Sequence, residues 1–89
     1  SLERVGPLAQ AGRFDEAMAC VDDYLRAYPD DPRARLMAAE LALNGPSAQP
    51  EVALDHLRRF ASDDHRLSAI ARLNEGKAAY LVEQYDRAE

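Results

Sequence analysis

The segment from Gly12 to Pro29 constrains the fold most, because its apolar side chains recur at steps of three and four residues. That spacing places them on one face of an amphipathic helix of about four turns. Pro29 ends the pattern, and Asp31-Pro32 predicts the start of another helix, since Asp is a good N-cap and Pro suits the first helical position. The apolar face consists of Phe14, Ala17, Met18, Val21, Leu25 and Tyr28.

Helical spacing continues through the rest of the chain, and no alternating pattern predicts a strand. Residues 2–11 are predicted to be helical, with Gly6-Pro7 producing either a kink or a helix that begins only near Pro7. Gly12 is expected to end this segment in a left-handed conformation. The later predicted helices span residues 32–44, 50–61 and 64–83, followed by a turn at Glu83-Gln84 and a last helix opening at Tyr85.

Parts of this pattern recur about every 35 residues, as Ala17, Ala53 and Ala88 illustrate. Helix pairs of this period resemble the tetratricopeptide repeat, whose unit is about 34 residues long. The family places an aromatic residue at the start of the second helix, an alanine three residues later and a proline at the end of the unit. The matching residues are Phe14, Ala17 and Pro29 in the first unit, Ala39 in the second, and Gly76, Tyr85 and Ala88 in the third.

The resemblance implies an all-α fold, in which antiparallel helix pairs stack as a right-handed superhelix of about five helices plus the start of a sixth. Residues 1–89 would form a single domain, with repeat 1 at about 1–31, repeat 2 at about 32–65 and a partial repeat 3 at about 66–89. We expect the chain to be a fragment of a longer one, because the third unit stops as its second helix begins. Departures from the family pattern include Arg35 and Arg72 at a bulky apolar position, and Tyr24 and Phe60 at a small one.

In this family the first helix of each unit lines a concave groove, so the resemblance implies a set of partner-binding residues. Their mixture of aliphatic, charged and aromatic groups suits an extended peptide or a helix. For Leu36 and Leu73 the alternative is a place in the core. The implied contact residues are Arg33, Leu36, Glu40, Leu43 and Asn44 in the second unit, and Leu73, Lys77 and Tyr80 in the third.

Composition limits the kinds of ligand this chain could bind. The net charge of -5, with no basic stripe, argues against nucleic acid. The single cysteine, Cys20, excludes an internal disulfide and a multi-cysteine metal site. No apolar run approaches the roughly 20 residues of a membrane span, so membrane insertion is not expected. Asp63-Asp64-His65 is predicted to be a helix-capping turn, and we expect no metal and no cofactor.

These observations predict a non-enzymatic protein-interaction module, an adaptor or scaffold that binds a peptide or partner protein in its groove. No nucleophile and base are placed together by their spacing, so nothing in the sequence indicates catalysis. The alternative is an assembly or targeting segment of a larger enzyme or secretion component, self-associating as a homo-oligomer through exposed terminal helices. Abundant arginine and alanine suggest a bacterial source, and a lone cysteine fits a cytoplasmic location.

Overall fold

A computed structural model of the chain describes residues 2–88 and, for Ala88, the backbone only. A short 3-10 helix, Leu2–Arg4, leads into five α-helices, and no strand occurs within the described range. The all-α prediction with five helices is therefore confirmed. The helices are α1 (Val5–Gln10), α2 (Phe14–Ala27), α3 (Pro32–Asn44), α4 (Pro50–Arg58) and α5 (His65–Ala88).

The first helix begins before Pro7 and ends at a glycine cap. Because α1 starts at Val5, Pro7 lies in its first turn, where a backbone N–H would have no partner within the helix. The helix is therefore not interrupted, and it begins two residues earlier than the predicted start near Pro7. Gly12 has a φ of 80°, its N–H donates to the Ala9 carbonyl at 3.0 Å, and the Arg13 N–H donates to the Leu8 carbonyl at 2.9 Å. This pair of bonds is the Schellman motif, which confirms the predicted left-handed end.

Aspartate side chains cap the N-termini of two of the later helices, α3 and α5. Oδ1 of Asp31 accepts hydrogen bonds from the backbone N–H groups of Arg33 at 2.9 Å and Ala34 at 3.3 Å. Oδ1 of Asp64 accepts from Arg66 at 2.8 Å and Leu67 at 3.3 Å in the same way. Both carboxylates satisfy donors that a helix leaves unpaired at its N-terminus. The stretch around Asp64 is thus the capping turn that the sequence predicts.

Each helix packs on the next one along the chain, and α3 also packs on α5. The core consists of two clusters that share α3. One cluster joins α1, α2 and α3, and the other joins α3, α4 and α5. Alanines at the crossings allow the helix axes to approach closely. The first cluster contains Val5, Ala17, Val21, Leu25, Ala34 and Ala38, and the second contains Leu36, Ala39, Ala42, Leu43, Ala53, Leu54, Leu57, Ala71 and Ala78.

The predicted turn at Glu83-Gln84 is wrong, and so is the separate sixth helix from Tyr85. Instead, α5 continues through both positions to Ala88. The sequence around Tyr85 resembles the start of α2, but the turn before α2 depends on Gly12, and positions 83 and 84 hold good helix formers instead. An ion pair between Arg87 and Glu83, 3.0 Å apart and one helical turn away, supports the continuous helix.

Candidate partner-binding surface

A surface shared by α3 and α5 brings together several of the predicted contact residues. Nζ of Lys77 on α5 donates to Oδ1 of Asn44 on α3 at 3.3 Å, and both side chains are exposed. On α3, spacings of seven and four residues put Arg33 and Glu40 on the same face as Asn44. On α5, Ile70 lies seven residues before Lys77 and is 40% exposed. We call these five residues, Arg33, Glu40, Asn44, Ile70 and Lys77, the α3–α5 surface.

The most exposed of the large apolar side chains in the predicted set lie on α5. Leu73 is 75% exposed and Tyr80 is 61% exposed. The alternative interpretation of Leu73 as a core residue is therefore wrong. Both side chains are therefore accessible to a partner. The sequence alone did not show whether they would be exposed or buried.

Leu36 and Leu43 correct the predicted set, because each is only 5% exposed and belongs to the second core cluster. They pack against α4 and α5, so neither can face a partner in this conformation. The sequence did not separate them from surface positions because α3 has apolar residues around most of its circumference. Which of its sides stays exposed depends on the helices that follow.

Sequence reasoning missed a polar contact that joins α3, α4 and the loop before α3. The Arg35 side chain is only 9% exposed. Its Nε donates to the Pro29 carbonyl at 3.0 Å, and its Nη1 lies 3.1 Å from Nδ1 of His56. Since a guanidinium can only donate, Nδ1 must accept, which makes His56 a neutral imidazole with its proton on Nε2. The only available signal was Arg35 itself, a charge at a position where the resemblance expects a bulky apolar residue.

The surroundings of His56 favour this neutral form. Burial lowers its pKa first, and the positive charge of Arg35 lowers it further. The contact therefore combines a buried cation with a half-buried neutral acceptor. It joins α3, α4 and the loop before α3.

Two further classes of site receive no support from the described residues. Within residues 2–88 there is no group of three or more His, Cys, Asp or Glu side chains that could hold a metal ion. None of the helices in the same range is both long and apolar enough to span a bilayer.

The stacked antiparallel helix pairs define the class of this chain, an α-helical repeat protein. The sequence profile of the tetratricopeptide repeat matches residues 8–41, from within α1 through α2 into α3. Over these residues the chain is similar to the tetratricopeptide repeat, and its all-α helical-repeat fold agrees with that likeness. No curated protein and no solved structure matches it. Repeats of this family generally mediate protein–protein interaction and are typically not catalytic.

Proposed function

We propose that this chain is a protein-interaction module that binds a peptide or partner protein across the α3–α5 surface. The observation that supports this most directly is the contact between Asn44 and Lys77, which makes one continuous surface from two helices. The general role of tetratricopeptide repeats supports the same class of function. A partner lying across both helices would contact Arg33 and Glu40 on one side and Ile70 and Lys77 on the other.

The chemistry of this surface favours a partner with both polar and apolar side chains. Arg33 and Lys77 supply two positive charges and Glu40 one negative charge, although the whole chain carries -5. Acidic groups of a partner would therefore pair with Arg33 and Lys77. Ile70, with the neighbouring Leu73 and Tyr80, supplies apolar area, and tyrosine is enriched among residues that dominate binding energy. An amphipathic peptide with acidic residues beside its apolar positions has the matching character.

The proposal is tested with purified protein and a ligand selected from a library of acidic amphipathic peptides. We expect the double variant Arg33→Glu, Lys77→Glu to weaken binding at least about tenfold, because both changes replace attraction by repulsion. Arg26→Glu is the matched control, since Arg26 lies on α2 with its side chain 79% exposed. Equal affinity for all three proteins, or no binding peptide in the library, would contradict the proposal. Leu36 is unsuitable for such a test, because a charge there would disrupt the core.

A further inference from the structure

The side of α5 that faces away from the core carries a second pattern, which shares Leu73 and Tyr80 with the apolar area of the proposed function but is not explained by that function. Residues at alternating steps of three and four form a seam along this side, as in a coiled coil. All of them are exposed, whereas Ala71 and Ala78 on the opposite side are buried. We call this set the outer seam: Arg66, Ala69, Leu73, Gly76, Tyr80 and Glu83.

The apolar part of the outer seam repeats a pattern that packs against other helices elsewhere in this protein. Advancing by 37 residues, from position 36 to position 73, superimposes four residues of α3 on four of α5. The four on α3 are all buried beneath α4 and α5, with exposures of 5% or less. Those on α5 are exposed, and a Cβ atom added at Gly76 would meet no atom within 4 Å. The equivalent sets are Leu36, Ala39, Ala42 and Leu43 on α3, and Leu73, Gly76, Ala79 and Tyr80 on α5.

We propose that the outer seam pairs with the outer seam of a second copy of this chain, the two α5 helices running antiparallel. With the two-fold axis between Asn74 and Glu75, Leu73 lies opposite Gly76 of the second copy. Tyr80 then lies opposite the second copy's Ala69. In both pairs a large side chain meets a small one, and the two-fold symmetry makes each pair occur twice in the dimer.

The charges at the two ends of the outer seam also favour the antiparallel pairing over a parallel one. In the antiparallel register Arg66 lies opposite Glu83 of the second copy, so a positive group meets a negative one at both ends of the seam. A parallel pairing would instead place Arg66 against Arg66 and Glu83 against Glu83, and would leave a gap where Gly76 meets Gly76. Glu83 already pairs with Arg87 of its own helix, but exposed pairs of this kind contribute little stability. Arg66 of the second copy can therefore join or replace that pair.

The positions beside the seam are compatible with this pairing. On one side the antiparallel register brings Lys77 next to Ile70 of the second copy, and on the other it brings Arg72 next to Ala79. No like charges are brought together at these positions. Lys77 and Ile70 would border the seam, whereas Arg33, Glu40 and Asn44 on α3 lie outside it.

The size of the seam indicates a reversible dimer. The 24 residues of α5 span about 36 Å. A single helix–helix seam of that length is smaller than the roughly 800 Å² per partner of a typical stable interface. We therefore expect an association that depends on concentration in the micromolar-to-millimolar range.

Sedimentation equilibrium of the purified chain over that range tests the pairing. The average mass is expected to rise from 9.9 kDa toward twice that value. Arg66→Glu and Glu83→Arg, made singly, should each weaken association at least about tenfold, because each places like charges opposite one another. The double variant Arg66→Glu, Glu83→Arg should recover most of the lost affinity, because the pair is restored with its signs exchanged.

Arg26→Glu on α2 is the control and should associate like the parent chain, and circular dichroism should show equal helicity for all variants. A chain that stays at 9.9 kDa throughout would overturn the proposal. So would single variants that associate normally, or a double variant that remains as weak as the singles. Peptide binding at the α3–α5 surface is measured separately, so failure of one proposal does not imply failure of the other.

Discussion

The Tyr24 hydroxyl donates a 2.6 Å hydrogen bond to Oδ2 of Asp31, across the turn that joins α2 to α3. The other oxygen of Asp31 caps α3, so one carboxylate connects the end of the first helix to the start of the second. The bond from Tyr24 is the main reason why the pKa of Asp31 is lowered, and the same bond raises the pKa of Tyr24. This contact gives Tyr24 a structural role at a position where the resemblance expects a small residue.

Removing the carboxylate should destabilise the chain. We expect Asp31→Ala to lower the free energy of unfolding by about 1 kcal/mol, because the first backbone donors of α3 lose their acceptor. Asp31→Asn is the matched control, since an amide oxygen can still cap and should retain most of the stability. Urea unfolding followed by circular dichroism measures both. An Asp31→Ala variant as stable as the parent would show that the cap contributes nothing.

The Tyr24 bond should also be visible in the titration of Asp31. Because the folded pKa of Asp31 lies below its unfolded value, its contribution to stability is present above that unfolded value and is lost as pH falls through the folded one. Tyr24→Phe should raise the pKa of Asp31 toward its ordinary value and reduce this acid sensitivity. Carboxyl NMR titration of the two proteins checks the shift. The control is Tyr28→Phe, which removes only the hydroxyl of a ring whose centroid lies 4.9 Å from the Tyr24 ring centroid. It should leave the Asp31 titration unchanged.

Stability should depend on the protonation of His56. Its pKa is lowered in the folded state by burial and by Arg35, so the unfolded chain binds a proton more readily. The stabilising contribution is complete above the unfolded pKa of about 6.5 and is lost as pH falls through the lower folded value. We expect His56→Gln to show a smaller loss of stability between neutral pH and about pH 5 than the parent chain does.

Thermal unfolding at a series of pH values measures this difference. His65→Gln is the matched control, because His65 is exposed at the start of α5 and lies outside the contact with Arg35. That control leaves the contact between Arg35 and His56 intact, so the pH dependence that this contact causes should remain. If His56→Gln keeps it as well, the contact between Arg35 and His56 does not govern stability in this range.

Two leucines at equivalent positions should respond differently to the same change. Leu36→Ala is expected to lower the free energy of unfolding by about 2–4 kcal/mol, because it leaves a cavity in the second core cluster. Leu73→Ala should change it by less than about 0.5 kcal/mol, because the side chain is largely in solvent. Urea denaturation at low protein concentration measures both without a contribution from association. Equal losses would contradict the different burial of the two leucines.

Two glycines should respond with opposite signs to replacement by alanine. Gly76→Ala should raise stability by about 1 kcal/mol, since the position is inside a helix and an added Cβ meets no neighbour. Gly12→Ala should lower stability by about 1 kcal/mol, because its φ of 80° is unfavourable for a residue with a Cβ. Thermal unfolding followed by circular dichroism at low protein concentration gives both changes as shifts in melting temperature, without a contribution from association. A rise for both variants would show that the cap at Gly12 is dispensable.

The local elements of this fold could be predicted from the sequence, because local chemistry specifies them. Gly12, Asp31-Pro32 and Asp64 each begin or end a helix through a conformational preference or a hydrogen bond within a few residues. Of the apolar face predicted for α2, Ala17, Val21 and Leu25 are buried, whereas Tyr28 at its end is 58% exposed. The prediction of where α4 ends was less accurate. The helix stops at Arg58, and the residues predicted to continue it to Ala61 form a turn and an irregular segment. Helix ends depend on small energy differences and are the least predictable feature of such a chain.

The candidate site depended on the tertiary structure. α3 and α5 carry the same spacing of large and small apolar residues, yet Leu36 and Leu43 are buried while Leu73 and Tyr80 are exposed. Periodicity gives the side of a helix on which a residue lies, but burial depends on what packs against that side. Later helices cover this side of α3 and none in residues 2–88 covers that side of α5, so only the tertiary structure could decide which of the two leucine-containing patterns is core and which is surface.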